Sequence, residues 1–259
     1  MRKQTFQSRK NRKANMISDN ITFKIDYDNI DYRDVYGFYL TNKTTKDNPK
    51  KLPDIGSFVD VYPDFIALEP ETGLYHLTPK TAVSWFKDDS CFDTIDGLYN
   101  AIVYKDIILL KYYKTRYNEV KMFISIDYST YGDFDDETLL HNIKKACVVY
   151  LWLTFECDAI VYPLMTYGNE ETLEWCFDHI MVGSNIAVSL KGVMTGPNKE
   201  LFIKALKRLI DSRRPKSLIV YSVSSLDSTK EILKYAYENN VNVIIVDNTL
   251  MRRNNRGDC

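Results

Sequence analysis

Along most of the chain, short apolar runs alternate with segments whose apolar positions recur every three or four residues. The runs are Ala82–Phe86 (AVSWF), Met122–Ser129 (MFISIDYS), Ala159–Thr166 (AIVYPLMT), Asn185–Leu190 (NIAVSL), Ser217–Tyr221 (SLIVY) and Val241–Asp247 (VNVIIVD). Continuous apolar runs of this length read as strands buried on both faces. Between them, Phe92, Ile95, Leu98 and Tyr99 fall on one helical face, with helical signal continuing toward Tyr113. Further helices are expected over residues 137–155, Glu170–Ile180 and Pro197–Ile210. Strand starts near 123, 159, 185, 217 and 241 lie 36, 26, 32 and 24 residues apart, the scale of a strand plus a crossover helix. Right-handed crossovers place helices over a parallel sheet. The pattern therefore predicts an α/β fold of parallel strands alternating with helices, forming a complete or distorted (β/α) barrel. A doubly wound open sheet has the same periodicity and is the alternative.

The first part of the chain is less regular. Ile21–Tyr27 (ITFKIDY) alternates as a half-exposed strand, Tyr36–Leu40 (YGFYL) is expected to pair as a hairpin or edge, and Ser57–Glu69 carries a strand signal broken by Pro63. Thr41–Asp54, with its lysines and two prolines, reads as a long surface loop. The expected division is a disordered basic arm (1–16), a strand-rich appendage that is part of or packed on the main domain (17–80), an α/β core (81–250) and a basic tail (251–259).

Charge changes this picture at one end. The formal net charge is -1, yet residues 1–13 hold six basic and no acidic residues, leaving 28 basic against 35 acidic residues in the remainder. Such an arm can touch nucleic acid weakly through phosphate neutralisation or stay solvated. The body shows no matching basic stripe, which argues against a dedicated DNA reader.

Five scattered cysteines without a CxxC pair point to reduced thiols in a cytoplasmic setting. No secretory signal is expected, and the longest apolar run, residues 146–155, is about half of what spans a bilayer. His76, His141 and His179 are scattered, without the spacing of a zinc site, a GxSxG elbow or a dinucleotide fingerprint. No metal and no cofactor is therefore expected.

In either architecture, ligands bind beyond the carboxyl ends of parallel strands. The residues there include Trp85, Asp127, Tyr128, Ser129, Thr166, Tyr167, Ser189, Lys191, Tyr221, Ser222, Asp247 and Asn248. Asp127, ending an apolar strand where desolvation raises a carboxyl pKa, is the candidate acid/base. Lys191 is the candidate anion clamp. Ser129, Tyr131, Tyr167, Ser189, Tyr221 and Asp247 are candidate ligand contacts. The plain alternative is that Asp127 caps its own loop and Lys191 is solvated. Asp88 and Asp89 form either helix caps or an acid/base or metal-holding pair. Lys191–Lys199 (KGVMTGPNK) is a glycine-bearing helix entry that can cradle a phosphate, though it matches no phosphate-loop signature.

Several stretches together resemble an uncharacterised domain family of phages and mobile genetic elements. They are IDYSTY (126–131), YPLMTYGNEETLEWCFD (162–178), GSNIAVSLKGV (183–193) and WFKDDSCFD (85–93). The likeness covers about residues 81–248 and draws attention to Asp127, Ser129, Tyr131, Pro163, Tyr167, Cys176, Phe177, Asp178 and Ser189. The chain departs from the family pattern at Ile126, where proline is usual, and at Tyr167, where tryptophan is usual. The resemblance implies a phage or mobile-element accessory protein. Three roles stay open: a strand-end pocket that binds, or as an enzyme turns over, a small anionic or nucleotide-like ligand; a non-enzymatic protein that binds and modulates a host protein through its aromatic-rich N-terminal region; and a nucleic-acid-associated protein that uses its basic arm.

Overall fold

The computed structural model describes residues 37–69 and 77–248. The apolar runs form seven strands: β1 (Phe65–Leu68), β2 (Thr81–Ser84), β3 (Met122–Ile124), β4 (Ile160–Tyr162), β5 (Asn185–Ser189), β6 (Ser217–Tyr221) and β7 (Asn242–Asn248). The described helices are α1 (Phe38–Thr41), α2 (Leu98–Val103), α3 (Ile107–Arg116), α4 (Asp136–Glu156), α5 (Gly196–Arg213), α6 (Leu226–Ile232) and α7 (Lys234–Glu238). All strand pairs are parallel, in the order β4-β3-β2-β1-β7-β6-β5. Beyond β4, Leu164 bridges to Ala187 of β5. There Met165 N donates to Ala187 O at 2.9 Å and Ala187 N donates to Pro163 O at 2.7 Å. These bonds join the two outer strands, so the sheet curls into a nearly closed barrel rather than an open doubly wound sheet.

Side-chain alternation explains the closure. Ala82, Ala187, Ile219 and Tyr221 point to the interior, while Val83, Ile186, Val188, Leu218 and Val220 between or beside them pack outward under the helices. The interior is filled by Ile66, Leu68, Phe86, Met122, Tyr162 and their neighbours, all buried. Small Ala82 and Ala187 leave room for large rings, and Phe86 and Tyr221 meet with centroids 4.7 Å apart. Each fully buried aliphatic or aromatic side chain contributes about 1.5–3 kcal/mol. An open sheet would have to cover this second face with helices.

The N-terminal mouth of the barrel is occupied by backbone. Tyr62 shares a hydrogen bond with Ser217 Oγ at 2.9 Å, Asn185 Nδ2 donates to Val59 O at 2.9 Å, and the Tyr162 hydroxyl donates to Val61 O. Ser217 and Asn185 begin their strands, so residues 59–62 cross this end. The carboxyl ends of the strands are the opposite rim.

Three local expectations change. Tyr36–Leu40 was expected as strand, but Phe38–Thr41 is a helical turn entered through Gly37 at φ 63. A Cβ at Gly37 would lie 2.9 Å from a Val148 methyl on α4, so the left-handed backbone and the tight approach both favour glycine. Glu170–Ile180 was expected as helix, but only a 3-10 turn, Glu171–Glu174, forms. Thr172 Oγ1 accepts from Gly168 N and Asn169 N at 3.0 Å each, and Asn169 Oδ1 accepts from Thr172 N at 3.1 Å. Such side-chain bonds compete with a helical ladder. Cys176 and Phe177 thus lie in turns and are buried packing residues. Finally, a helix was expected from the Asp88–Ser90 acids onward, yet that stretch is a short 3-10 turn, Asp89–Cys91, without a side-chain cap, and α2 starts only after Gly97.

The strand expected at Ile21–Tyr27, the basic arm, the tail from 251 and His76 lie outside the described residues. The segment before residue 80 nonetheless supplies β1, which sits inside the sheet between β2 and β7. Among the described residues, no helix is long and apolar enough to cross a membrane.

Candidate functional site

The carboxyl ends of β2, β3, β4 and β5 bring together a carboxylate pair, a lysine and a phenol. Past Ser84, β2 continues through Trp85 and Phe86 into the turn that carries Asp89. Past Ile124, the chain of β3 continues to Asp127 and Ser129. Asp127 is only partly exposed, and its carboxyl is pushed up to about 7. Burial is the largest cause, the charge of Asp89 adds to it, and the ammonium of Lys191 opposes both. Asp127 in turn is near enough to Tyr167 to help raise its phenol, whose shift is caused mainly by burial.

Lys191 follows β5 and is anchored by its own chemistry. Its Nζ donates to Phe86 O at 2.8 Å, tying the β5 end to the β2 end, and its backbone N donates to Ser189 Oγ at 3.4 Å. One proton on that ammonium is thereby committed, leaving two for an incoming acceptor. The glycines that follow, Gly192 at φ 79 and Gly196 at φ 61, turn the chain into α5.

A second layer fixes these groups. Both Asp89 oxygens accept from Ser129 N, at 3.1 and 3.2 Å, and one accepts from Ser129 Oγ at 3.0 Å. Asn142 Nδ2 of α4 donates to Ser129 O at 2.6 Å, and Thr130 Oγ1 donates to Tyr167 O at 2.9 Å. Four residues after Asp89, Asp93 forms an ion pair with Lys145 of α4. The Lys145 ammonium also lies over the rings of Tyr128, at 4.1 Å, and Tyr99, at 5.2 Å. The Asp89–Asp93 turn is therefore pinned at both ends.

Of the residues singled out by sequence, Asp127, Tyr167, Ser189 and Lys191 lie at this rim. Ser129 is there too, engaged with Asp89. Tyr131 is 60% exposed on the following loop, edge-on to Phe134 at 5.3 Å. Tyr221 is wholly buried in the barrel interior. Asp247 lies on β7 opposite Phe65 of β1, and its Oδ1 accepts from Asn248 N at 2.8 Å. Asp89 and Lys145 were not anticipated in these roles. Their contacts join residues 40 and 52 positions apart, which no local pattern reveals. Lys145 carries one faint signal, a lysine placed directly before the apolar run of α4.

As for what the rim can hold, two carboxylates meet there, and among the described residues no group of three or more His, Cys, Asp or Glu is arranged to bind a metal. Chemically, a carboxyl that gains and loses its proton near neutrality beside an ammonium can exchange a proton with, and bind the charge of, a small polar ligand.

Comparison with known proteins adds a setting. A family model described as a domain of unknown function (DUF4417) matches residues 49–238. The "Gene 1 protein" of Mycobacterium phage L5 is 28% identical over 109 residues, covering 41% of this chain and 46% of that protein. The "Gene 1 protein" of Mycobacterium phage D29 is 24% identical over 143 residues, covering 54% of this chain and 48% of that protein. The chain thus spans about half the length of the curated relatives it matches. No solved structure matches.

Proposed function

We propose, from the premise that this chain belongs to the DUF4417 family, an uncharacterised phage-associated family, that its barrel rim binds a small anionic ligand of metabolite or nucleotide size. The observation that carries this reading is the placement of the Asp127 carboxyl, pushed up to about 7 mainly by burial, beside Lys191 where parallel strands end. Lys191 holds the anionic group of the ligand, Asp127 exchanges a proton with it, and Tyr167 and Ser189 orient it. The Asp89–Ser129 and Asp93–Lys145 contacts keep the loops in place before the ligand arrives, which reduces the ordering cost of binding.

The test is a thermal-shift and calorimetric screen of the full chain against nucleoside mono- and diphosphates, sugar phosphates and dicarboxylates. A ligand at a hundredfold its Kd adds about 2.7 kcal/mol to stability, a rise of roughly 5 °C or more for a chain of this size. Lys191→Ala should abolish that shift, and Asp127→Asn should remove its dependence on pH between 6 and 8. No shift with any compound, or a shift that Lys191→Ala leaves intact, would discard the proposal.

A further inference from the structure

Far from the rim in composition, and sharing no residue with it, a groove of about 800 Å³ runs between α3 and α4. Its floor is apolar: Leu110 of α3 and Trp152 of α4, the latter buried. Its edge presents Ile107, 63% exposed at the first position of α3, and the lysines Lys111 and Lys114 one and two turns further along. An isoleucine left so open beside a groove is an apolar contact without a cover in this chain's described residues.

The charge of this flank runs against that of the body. The groove is lined by three lysines, Lys105, Lys111 and Lys114, and one acid, Glu156, whereas outside residues 1–13 the chain as a whole holds 28 basic and 35 acidic residues. The acid lining the groove, Glu156, is matched by Lys114 at 3.3 Å and Lys43 at 3.9 Å, exposed pairs that an incoming carboxylate can exchange with little loss. An apolar floor beneath a lysine edge is complementary to a segment with aliphatic side chains on one face and carboxylates on the flank.

We propose that this groove docks an acidic amphipathic helix of a partner protein, with its apolar face on Leu110 and Ile107 and its carboxylates toward Lys111 and Lys114. The ten residues of α3 extend about 15 Å, room for an antiparallel or parallel helix of two to three turns laid alongside. A single-stranded nucleic acid would also meet the lysines, but it needs open ring faces for base stacking. Here the Trp152 ring is buried with the Lys114 ammonium 5.9 Å from its centroid, and the Tyr39 ring carries Lys105 at 5.2 Å. The groove therefore favours a peptide.

Fluorescence anisotropy on the full chain tests this with three labelled probes: a helical peptide with leucine at helical spacing and glutamate elsewhere, the same peptide with lysine for glutamate, and an oligothymidylate. The Leu/Glu peptide should bind, and Ile107→Asp and Lys111→Glu should each weaken it about tenfold or more. Both side chains are exposed, so circular dichroism melting should show both variants folded as the parent. Failure of the Leu/Glu peptide to bind, equal binding of the Leu/Lys peptide, tighter binding of the oligonucleotide, or indifference to both substitutions would each overturn the proposal. None of these outcomes depends on Lys191 or Asp127, so the groove and the rim stand or fall separately.

Discussion

Strands β5, β6 and β7 pair in step over five positions, from Asn185, Ser217 and Asn242 to Ser189, Tyr221 and Val246, whereas β2 and β3 share two, Ala82 with Met122 and Val83 with Phe123. In the long ladder the backbone satisfies itself. In the short one the chain leaves the sheet early, and past it side chains take the backbone hydrogen bonds: Asp89 accepts from Ser129 N and Asn142 donates to Ser129 O, as Thr172 accepts from Gly168 N beyond β4. Buried backbone groups must find partners somewhere. The consequence is a division of labour within one barrel. The β5–β7 side is scaffold, and the β2–β4 side is where polar side chains cluster, with Lys191 reaching across to it from β5.

On this division, the largest loss of stability belongs to the scaffold. Ile219 sits wholly buried in the barrel interior at the centre of the long ladder. Ile219→Ala should cost about 3–4 kcal/mol in a denaturant titration, from lost transfer energy plus the cavity left between close-packed neighbours. The ligand binding proposed for the rim should survive. A cost below 1 kcal/mol would mean that the interior relaxes freely and is no scaffold.

On the polar side, the most costly single change should be at Lys145, whose side chain is 9% exposed while that of Asp93 is 25% exposed. Lys145→Ala strands the Asp93 carboxylate in a half-buried position and takes the cation from the Tyr128 and Tyr99 rings, at a cost of about 2–3 kcal/mol. The paired change Asp93→Asn with Lys145→Met should recover more than half of that. The comparison sharpens if the loss is local: hydrogen exchange should speed up in the Asp89–Asp93 turn and residues 127–131 while β5–β7 stay protected.

The same division governs what the sequence could reveal. SLIVY reads as a strand at Ser217–Tyr221, the observed bounds, because a run of residues buried on both faces leaves a continuous apolar signature. The position of Asp127 and Lys191 past strand ends is legible because such ends can be counted from apolar runs. Helix was expected across Glu170–Ile180 because apolar spacing there mimics it, and spacing does not show that Thr172 and Asn169 spend their side chains on the backbone. In the sequence Asp89 stands only as one of two adjacent acids. Its partner Ser129 lies on another strand end, and only the closed barrel brings them together. Periodicity likewise leaves barrel and open sheet equal, and the Leu164–Ala187 bridge makes the difference.

Asp127 offers a pH-dependent test of the polar side. Its carboxyl is raised from 3.8 to about 7 in the folded chain, so between those values the folded state binds more protons than the unfolded one. Its contribution is therefore fully present below about pH 4 and is lost as pH rises through 7. At pH 8 the ionised, partly buried carboxylate costs on the order of 2 kcal/mol after allowance for its exposure. Asp127→Asn should thus stabilise the chain by about that much at pH 8 and by little at pH 4. Asp89→Asn should lower the midpoint of this dependence, since it removes a neighbouring charge that raises it. His179 runs the other way: burial lowers it from 6.5 to about 4, so its contribution is present above 6.5 and is lost as pH falls toward 4. The Asp127 effect is best read as the difference between parent and variant at each pH, which cancels the histidine.

The smallest effect should come at the seam where the two sides meet outside the barrel. Lys204 of α5 reaches Glu170, beyond β4, at 2.5 Å, but the two side chains are 52% and 67% exposed. Exposed pairs contribute between nothing and about 1 kcal/mol and weaken with salt. The seam itself is closed by the two backbone bonds between residues 163–165 and Ala187, and by Arg213, which donates to Asp178 O, Asp178 Oδ1 and Ile180 O at 3.3–3.4 Å from a far less exposed position. Lys204→Ala should accordingly shift stability by about 0.5 kcal/mol or less, vanishing at 0.5 M salt, whereas Arg213→Ala should exceed it severalfold because it leaves backbone carbonyls without their donor. A larger, salt-sensitive loss at Lys204 would show that surface charge, rather than backbone pairing, holds the irregular side of the barrel against the regular one.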